Sequence, residues 1–208
     1  MDVIHIPKHF AEDDLTRLQS LVHAHNFATL VSAHEGKIQV SHLPFLMDDA
    51  GKMLRAHMAR ANPQWQTFSP EREVVVIFHG PHHYVSPAWY ASHPSVPTWN
   101  YAVVHAQGRP TLINDRKWLA TLVRDLVTRH EAASPEPWKM DLPADYQDKM
   151  LSGIVGFQIE ITRLEGKFKL SQNRPGADRP MVIEELERLG SDDALGVAAL
   201  MRDDLAKH

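Results

Sequence analysis

In Gly166-Lys167-Phe168-Lys169-Leu170-Ser171-Gln172-Asn173-Arg174, strand alternation would put Lys167, Lys169 and Ser171 on one face and Phe168 and Leu170 on the other. Two ammonium groups and a hydroxyl in a row, followed by Gln172, Asn173 and Arg174, form a donor set suited to a phosphate or to the polar edge of a heterocycle. A solvated strand face running into a polar turn would show the same pattern. The wider stretch from Arg163 to Arg179 carries five cations against Glu165 and Asp178, which predicts a local anion site. A second segment, Ala56-His57-Met58-Ala59-Arg60-Ala61-Asn62-Pro63-Gln64-Trp65, joins a strand end to a helix start, where free backbone N–H groups favour an anion that His57 and Arg60 could complete. The alternative is that Asn62 only caps the helix and Arg60 pairs with a surface carboxylate. A third, Gly80 to Tyr90 and on through Val96-Pro97-Thr98-Trp99-Asn100-Tyr101, reads as an aromatic, proline-rich loop, either a packed dimer interface or a stacking wall for a flat ring.

Other chemistries lack their signatures. The chain has no G-x-S-x-G, G-x-x-x-x-G-K-[ST], G-x-G-x-x-G or H-E-x-x-H motif, and no cysteine, which removes thiolate nucleophiles, disulfides and Cys-based zinc sites. Fourteen histidines are present, but none stands at a defining metal-ligand spacing: His23 and His25 would point apart on a helix, and the pairs His5/His9 and His82/His83 have no carboxylate partner. No catalytic acid or base and no metal centre are expected.

The elements that must position these groups follow from periodicity. Leu15, Leu18, Leu21 and Val22 make a helical stripe over 13–25, after which strands are predicted over 27–32, 38–47 and 53–58, with turns at 34–37 and 48–51. Asn62-Pro63 starts a short helix, and further strands are expected over 73–79, 99–109, 153–163 and 166–171. Trp118, Leu119, Leu122, Val123, Leu126 and Val127 define the clearest helix, 115–131, and two more close the chain over 180–189 and 192–206. The expected fold is therefore α+β, a small antiparallel barrel with helices on its edges. We assign 1–175 to the barrel domain, helix 115–131 being inserted, and 176–208 to a helical extension on the same domain.

At 208 residues, 43% hydrophobic and 23% charged, the chain has the composition of one globular domain. The longest apolar run, Val74 to Phe78, is too short for a bilayer, and Met1-Asp2-Val3-Ile4-His5 lacks a leader's basic and apolar regions, so a cytoplasmic protein is expected. A net charge of −4 gives no global attraction to nucleic acid.

These segments together resemble the PaiB-like proteins, described as FMN-binding negative transcriptional regulators with a flavin-type split-barrel fold. The resemblance is carried in order along almost the whole chain by Ile6-Pro7-Lys8-His9-Phe10, Ser41-His42-Leu43-Pro44-Phe45, the His57 to Trp65 segment, Ile77-Phe78-His79-Gly80-Pro81-His82 and Tyr84-Val85-Ser86-Pro87. It continues through Val96 to Tyr101, Gly153-Ile154-Val155-Gly156-Phe157 and Gly166 to Asn173. It implies a homodimer of six- or seven-stranded split barrels with two FMN sites in the groove between subunits. Phosphate-holding groups near the third strand of related flavoproteins correspond here to His57, Arg60 and Asn62. Trp99, Asn100, Lys169, Ser171, Gln172 and Asn173 are implied as ring or ribityl contacts, with His42 as a further candidate. The Arg/Lys/Ser pattern of the oxidase relatives is not reproduced, His57 and Ala59 standing in its place.

The resemblance implies a regulator sensing flavin or its redox state. Alternatives are an FMN-dependent oxidoreductase of a small molecule, its ring tuned by Lys169 or Asn173, and a haem protein using His57, His79 or His105. Direct operator binding has no support in a helix-turn-helix with a basic recognition helix.

Overall fold

Glu35 and Gly36 both take positive φ, 50° and 74°, and this two-residue turn sets the register of the first hairpin, β2 (Phe27–His34) on β3 (Lys37–Pro44). Thr29 faces His42 and Val31 faces Val40 across it. The computed structural model describes residues 4–207; Met1–Val3, part of the stretch read for a leader, and His208 of the expected C-terminal extension lie outside them.

Before the hairpin come the two-residue strand β1 (Ala11–Glu12) and helix α1 (Leu15–Ala24), whose buried stripe is Leu18, Leu21 and Val22. After it come β4 (Leu46–Met47) and β5 (Met53–Ala59), then a 3-10 turn over Pro63–Thr67. The Asp48 carboxylate shapes the β4–β5 turn, accepting from the backbone N–H of Lys52 (2.7 Å) and Met53 (2.9 Å). Three long strands follow, β6 (Val74–Val85), β7 (Thr98–Ile113) and β8 (Ile154–Lys169). Helices α2 (Arg116–Glu131) and α3 (Ala144–Ser152) lie between β7 and β8, and α4 (Asp178–Leu189) and α5 (Asp192–Leu205) end the chain. Strand order in the sheet is β3-β2-β6-β7-β8-β5-β4, with β1 on β8. Among the described residues six strands are long and two have only two residues, and the architecture is antiparallel α+β.

Five details differ from the sequence reading. The strand expected over 38–47 is two, β3 pairing with β2 and β4 with β5, separated at Phe45, whose N–H bonds to Asn26 O (2.8 Å). The strands expected over 153–163 and 166–171 are one strand, β8, which passes Gly166 without a turn because that residue pairs with Glu12 of β1. A Cβ on Gly166 would stand 2.2 Å from Leu18 Cδ2, so glycine there permits close approach of α1. The stretch read as a loop from Gly80 is strand as far as Val85. Helix α3 has too short an apolar pattern to be visible. Finally, alternation stops at Lys169: Ser171 lies beyond the strand with φ 63° and is buried, so it is not the third member of an exposed row.

The chain divides into two units. In residues 25–78 and 106–164 the core contains Leu30, Leu54, Phe45, Phe78 and Phe157, with Phe45 edge-on to Phe78 (6.0 Å) and to Phe157 (6.2 Å). Helix α2, capped by the Asp115 carboxylate on Lys117 N and Trp118 N, buries Leu119, Leu122 and Leu126 against Leu46, Leu151 and Ile154. In residues 4–24, 79–105 and 165–207 the core is built from Val85, Tyr90, Leu170 and the inner faces of α4 and α5, including Val182, Leu186, Val197 and Met201.

Strand packing in the first unit is tight at Gly108, where a Cβ would meet the carbonyl oxygen of Glu160 at 2.3 Å. Gly108→Ala is expected to destabilise the protein by about 2 kcal/mol or more, because backbone rather than a side-chain tip must move. Urea unfolding measures this, and a midpoint unchanged from wild type would refute the close approach.

Candidate functional site

In the first unit, the turn after β5 is built around the buried amide of Gln64. Its Oε1 accepts from Ser41 Oγ (2.5 Å), and its Nε2 donates to Ser32 Oγ (3.0 Å) and to the Gln39 carbonyl (3.2 Å). Asn62 completes the clip: Nδ2 donates to Ser41 Oγ (2.8 Å), while Oδ1 accepts from Gln64 N (3.0 Å). Trp65 Nε1 donates to the Arg60 carbonyl (3.0 Å). Every residue from Arg60 to Trp65 that can anchor the turn through a side chain therefore does so, and Asn62 is spent as cap and clip.

Arg60 is held by backbone alone. Its N–H bonds to Gly153 O (2.8 Å), Nε to Ser152 O (2.8 Å) and Nη2 to Ile154 O (3.0 Å). Among the described residues no carboxylate pairs with it, so the guanidinium charge is uncompensated, and not all of its five N–H donors are used. Arg60 lines a cavity of about 370 Å³ together with Trp65, Asn114, Leu119, Ser152 and Gly156. Three residues earlier, His57 Nδ1 is buried and has no hydrogen-bond partner among the described residues; burial pushes its pKa below the ordinary 6.5, favouring the neutral ring. His42 is exposed on β3 and bonds to Thr29 Oγ1 at 3.1 Å.

The second unit holds the other candidates. Asn100 is fully buried, its amide nitrogen donating to Ser171 Oγ (2.9 Å) and facing Met201 Sδ (3.4 Å). Gln172 folds back on its own strand end, accepting from Leu170 N (2.7 Å) and donating to Phe168 O (2.6 Å). These three side chains fix the end of β8, while Asn173 is exposed. Lys169 donates to Thr98 Oγ1 and to the Trp99 carbonyl (2.8 Å), and burial, then the charge of Lys167, pushes its pKa down. Trp99 is 53% exposed and, with His79, His82, Tyr101 and Val103, lines an open depression of about 340 Å³.

The cationic stretch 163–179 thins out in the structure. Arg174 stacks on Tyr90 (3.9 Å) and pairs with buried Asp178 (3.1 Å), which also accepts from Ser92 N (3.0 Å). Arg179 pairs with Asp204 at 2.5 Å. Lys167 and Lys169 remain without a carboxylate partner among the described residues; Lys167 donates to His5 O (2.9 Å) and lies 5.7 Å from the Tyr101 ring. The anion-binding potential is thus concentrated on two lysines, beside an exposed aromatic face. Gln64 was the residue that sequence reasoning did not single out; its signal is a glutamine two places after the capping Asn62, where an exposed polar residue is the ordinary expectation. No group of three His, Asp or Glu side chains able to hold a metal occurs among the described residues, and none of their helices is long and apolar enough to cross a membrane.

The first unit thus holds an uncancelled guanidinium near a half-buried, neutral histidine, and the second holds two ammonium groups near an exposed indole. The family described as "Putative FMN-binding domain" matches residues 4–163, and the chain belongs to it. It is 36% identical over 208 residues to "Protease synthase and sporulation protein PAI 2" of Bacillus subtilis, covering 99% of this chain and all of that one. PAI 2 is the PaiB protein, so the resemblance read from the sequence motifs holds along the whole chain. The fold is shared with the flavocytochrome Anf3 of Azotobacter vinelandii (TM-score 0.63, 17% identity, 81% of this chain and 74% of that one). It is shared too with the FAD and haem binding protein of Mycobacterium smegmatis (TM-score 0.58, 15% identity, 77% and 73%). The fold is that of flavin-binding split-barrel proteins.

His105 resembles His57: its Nδ1 is buried without a partner among the described residues, and burial and the neighbouring His79 push its pKa down. A histidine whose native pKa lies below its unfolded value binds more protons when unfolded, so stability rises with pH through that interval and falls on acidification below about 6.5. The melting temperature is expected to be lower at about pH 5.5 than at about pH 7.5, and His57→Gln with His105→Gln to flatten the profile. A double variant with the wild-type pH dependence would contradict the assignment.

Proposed function

We propose that this protein binds FMN and acts as a cytoplasmic, flavin-linked regulator of the PaiB type. The observation that carries the reading is the end-to-end likeness to PAI 2 within a family named for FMN binding. Physically, Arg60 suits the phosphate, since a dianion is held best by a cation not already committed to a carboxylate. Trp99, Tyr101 and Lys169 suit the ring, the indole by its exposed face and the ammonium by its charge beside it. Asn100, Ser171 and Gln172 fix the end of the strand that carries Lys169, and Asn62 caps the turn that Arg60 opens. Bound FMN would supply redox chemistry at its ring, and no side chain of the protein need act as an acid or base for a sensing role.

The reading includes a homodimer that completes the cofactor sites. Its support is the outer face of the β2–β3 hairpin, where Phe27 (66%), Ile38 (73%) and Val40 (54%) are exposed together, an apolar surface of the kind that a partner covers. Val40→Glu is expected to yield a monomer by light scattering; a mass unchanged from wild type, if dimeric, would remove this face from the interface.

Absorption spectroscopy after loading with FMN and gel filtration tests the main claim. Flavin bands are expected to remain with the protein, and Arg60→Ala and Lys169→Ala each to weaken FMN binding by about tenfold or more, the scale of a lost charge-assisted hydrogen bond. A protein that retains no flavin at high concentration, or that purifies with a Soret band, would contradict the proposal.

A further inference from the structure

Helix α2 uses two faces. Leu119, Leu122 and Leu126 pack inward, whereas Arg124, Val127, Thr128 and Glu131, at i, i+3, i+4 and i+7, form a second stripe. The chain beyond the helix folds back along that stripe. Ser134 N bonds to Glu131 O (2.9 Å), and Trp138 N donates to the Glu131 carboxylate (2.8 Å), which fixes the segment's position. Between them lies a cleft of about 480 Å³, lined from the returning segment by Pro137, Trp138, Lys139 and Met140.

Three properties of this cleft define a ligand. Its volume lies in the range of about 300–1,000 Å³ typical of small-molecule sites. Its walls are apolar and include an indole that is 49% exposed in the protein alone, a surface whose burial by a flat ring would be favourable. Its charge is one-sided: Arg124 and Lys139 have no carboxylate partner among the described residues, while Glu131 is already engaged by Trp138 N–H. Two cations against one engaged carboxylate leave a net attraction for a single negative charge. A cation would be repelled, and a phosphate with no apolar body would leave the indole uncovered.

We propose that this cleft is a small-molecule site for an aromatic monoanion, a flat apolar body bearing one carboxylate. The ring lies against Trp138 and Met140, and the carboxylate is met by Arg124 and Lys139. All of the lining falls within residues 124–140, so the site is separate from the residues assigned to flavin and does not depend on that assignment.

The test is calorimetric titration of the full-length, FMN-treated protein with naphthalene-2-carboxylate, and with the neutral naphthalene-2-carboxamide as the control. The carboxylate is expected to bind saturably at one site per chain, and the carboxamide about tenfold more weakly, reflecting the lost charge-assisted contact. Arg124→Ala and Trp138→Ala are each expected to weaken the carboxylate about tenfold, with Trp138→Phe restoring most of it. Lys139→Ala provides a second charge test that leaves the wall intact if Trp138→Ala does not fold. Absence of saturable binding at millimolar carboxylate, equal binding of the carboxamide, or affinity unchanged by both Arg124→Ala and Lys139→Ala would overturn the proposal. Because FMN binding is read independently by its absorption, failure here is distinguishable from failure of the flavin reading.

Discussion

The buried amide of Gln64 is the constraint on which the turn after β5 depends. A primary amide removed from water must satisfy both of its ends or cost about 1–3 kcal/mol for each group left unpaired. Here the hairpin of β2 and β3 satisfies both, through Ser41, Ser32 and the Gln39 carbonyl. The turn from Arg60 to Trp65 is thereby attached to the hairpin at a fixed point. Asn62 ties the same Ser41 hydroxyl to the turn's own backbone, so disturbing any one member leaves others unpaired.

Arg60 opens this turn, and Trp65 Nε1 ties its carbonyl to the turn's far end. The Nε and Nη2 bonds of Arg60 to the Ser152 and Ile154 carbonyls hold the guanidinium without neutralising it, which is a different outcome from the surface ion pair that a single arginine usually makes. Lys169 follows the same principle in the second unit: two oxygen acceptors position its ammonium, and no carboxylate among the described residues cancels it. By contrast Arg174 and Arg179 sit against Asp178 and Asp204, and their charges serve the packing of α4 and α5. Where charge is held but not cancelled, an anion has something to gain on arrival.

Much of this was legible in the sequence, for reasons that differ by element. The hairpin, α1, α2 and the two C-terminal helices follow from local periodicity and from turn residues such as Gly36 and Gly190, whose φ values of 74° and 70° are left-handed. The unbroken course of β8 was not legible, because Gly166 reads locally as a turn and its real partner, Glu12, is far away in the sequence. The motif around Lys169 pointed to the right segment, yet alternation could not foresee that Ser171 turns inward to Asn100. Nor could it foresee that Gln172 closes on the strand's own backbone. Gln64 was hidden for the same reason: a glutamine's burial depends on acceptors and donors supplied by distant strands. The family was legible because its motifs are short, ordered along the chain and largely made of such structural residues.

The central claim is that the turn opened by Arg60 and anchored by Gln64 presents a cation to the FMN phosphate, and the most direct test is the FMN dissociation constant of Gln64→Leu. The substitution changes no group assigned to the cofactor. If the anchored turn presents Arg60, the variant should remain folded by circular dichroism, melt at a lower temperature and bind FMN about tenfold or more weakly. A folded Gln64→Leu protein with wild-type affinity for FMN would contradict the account.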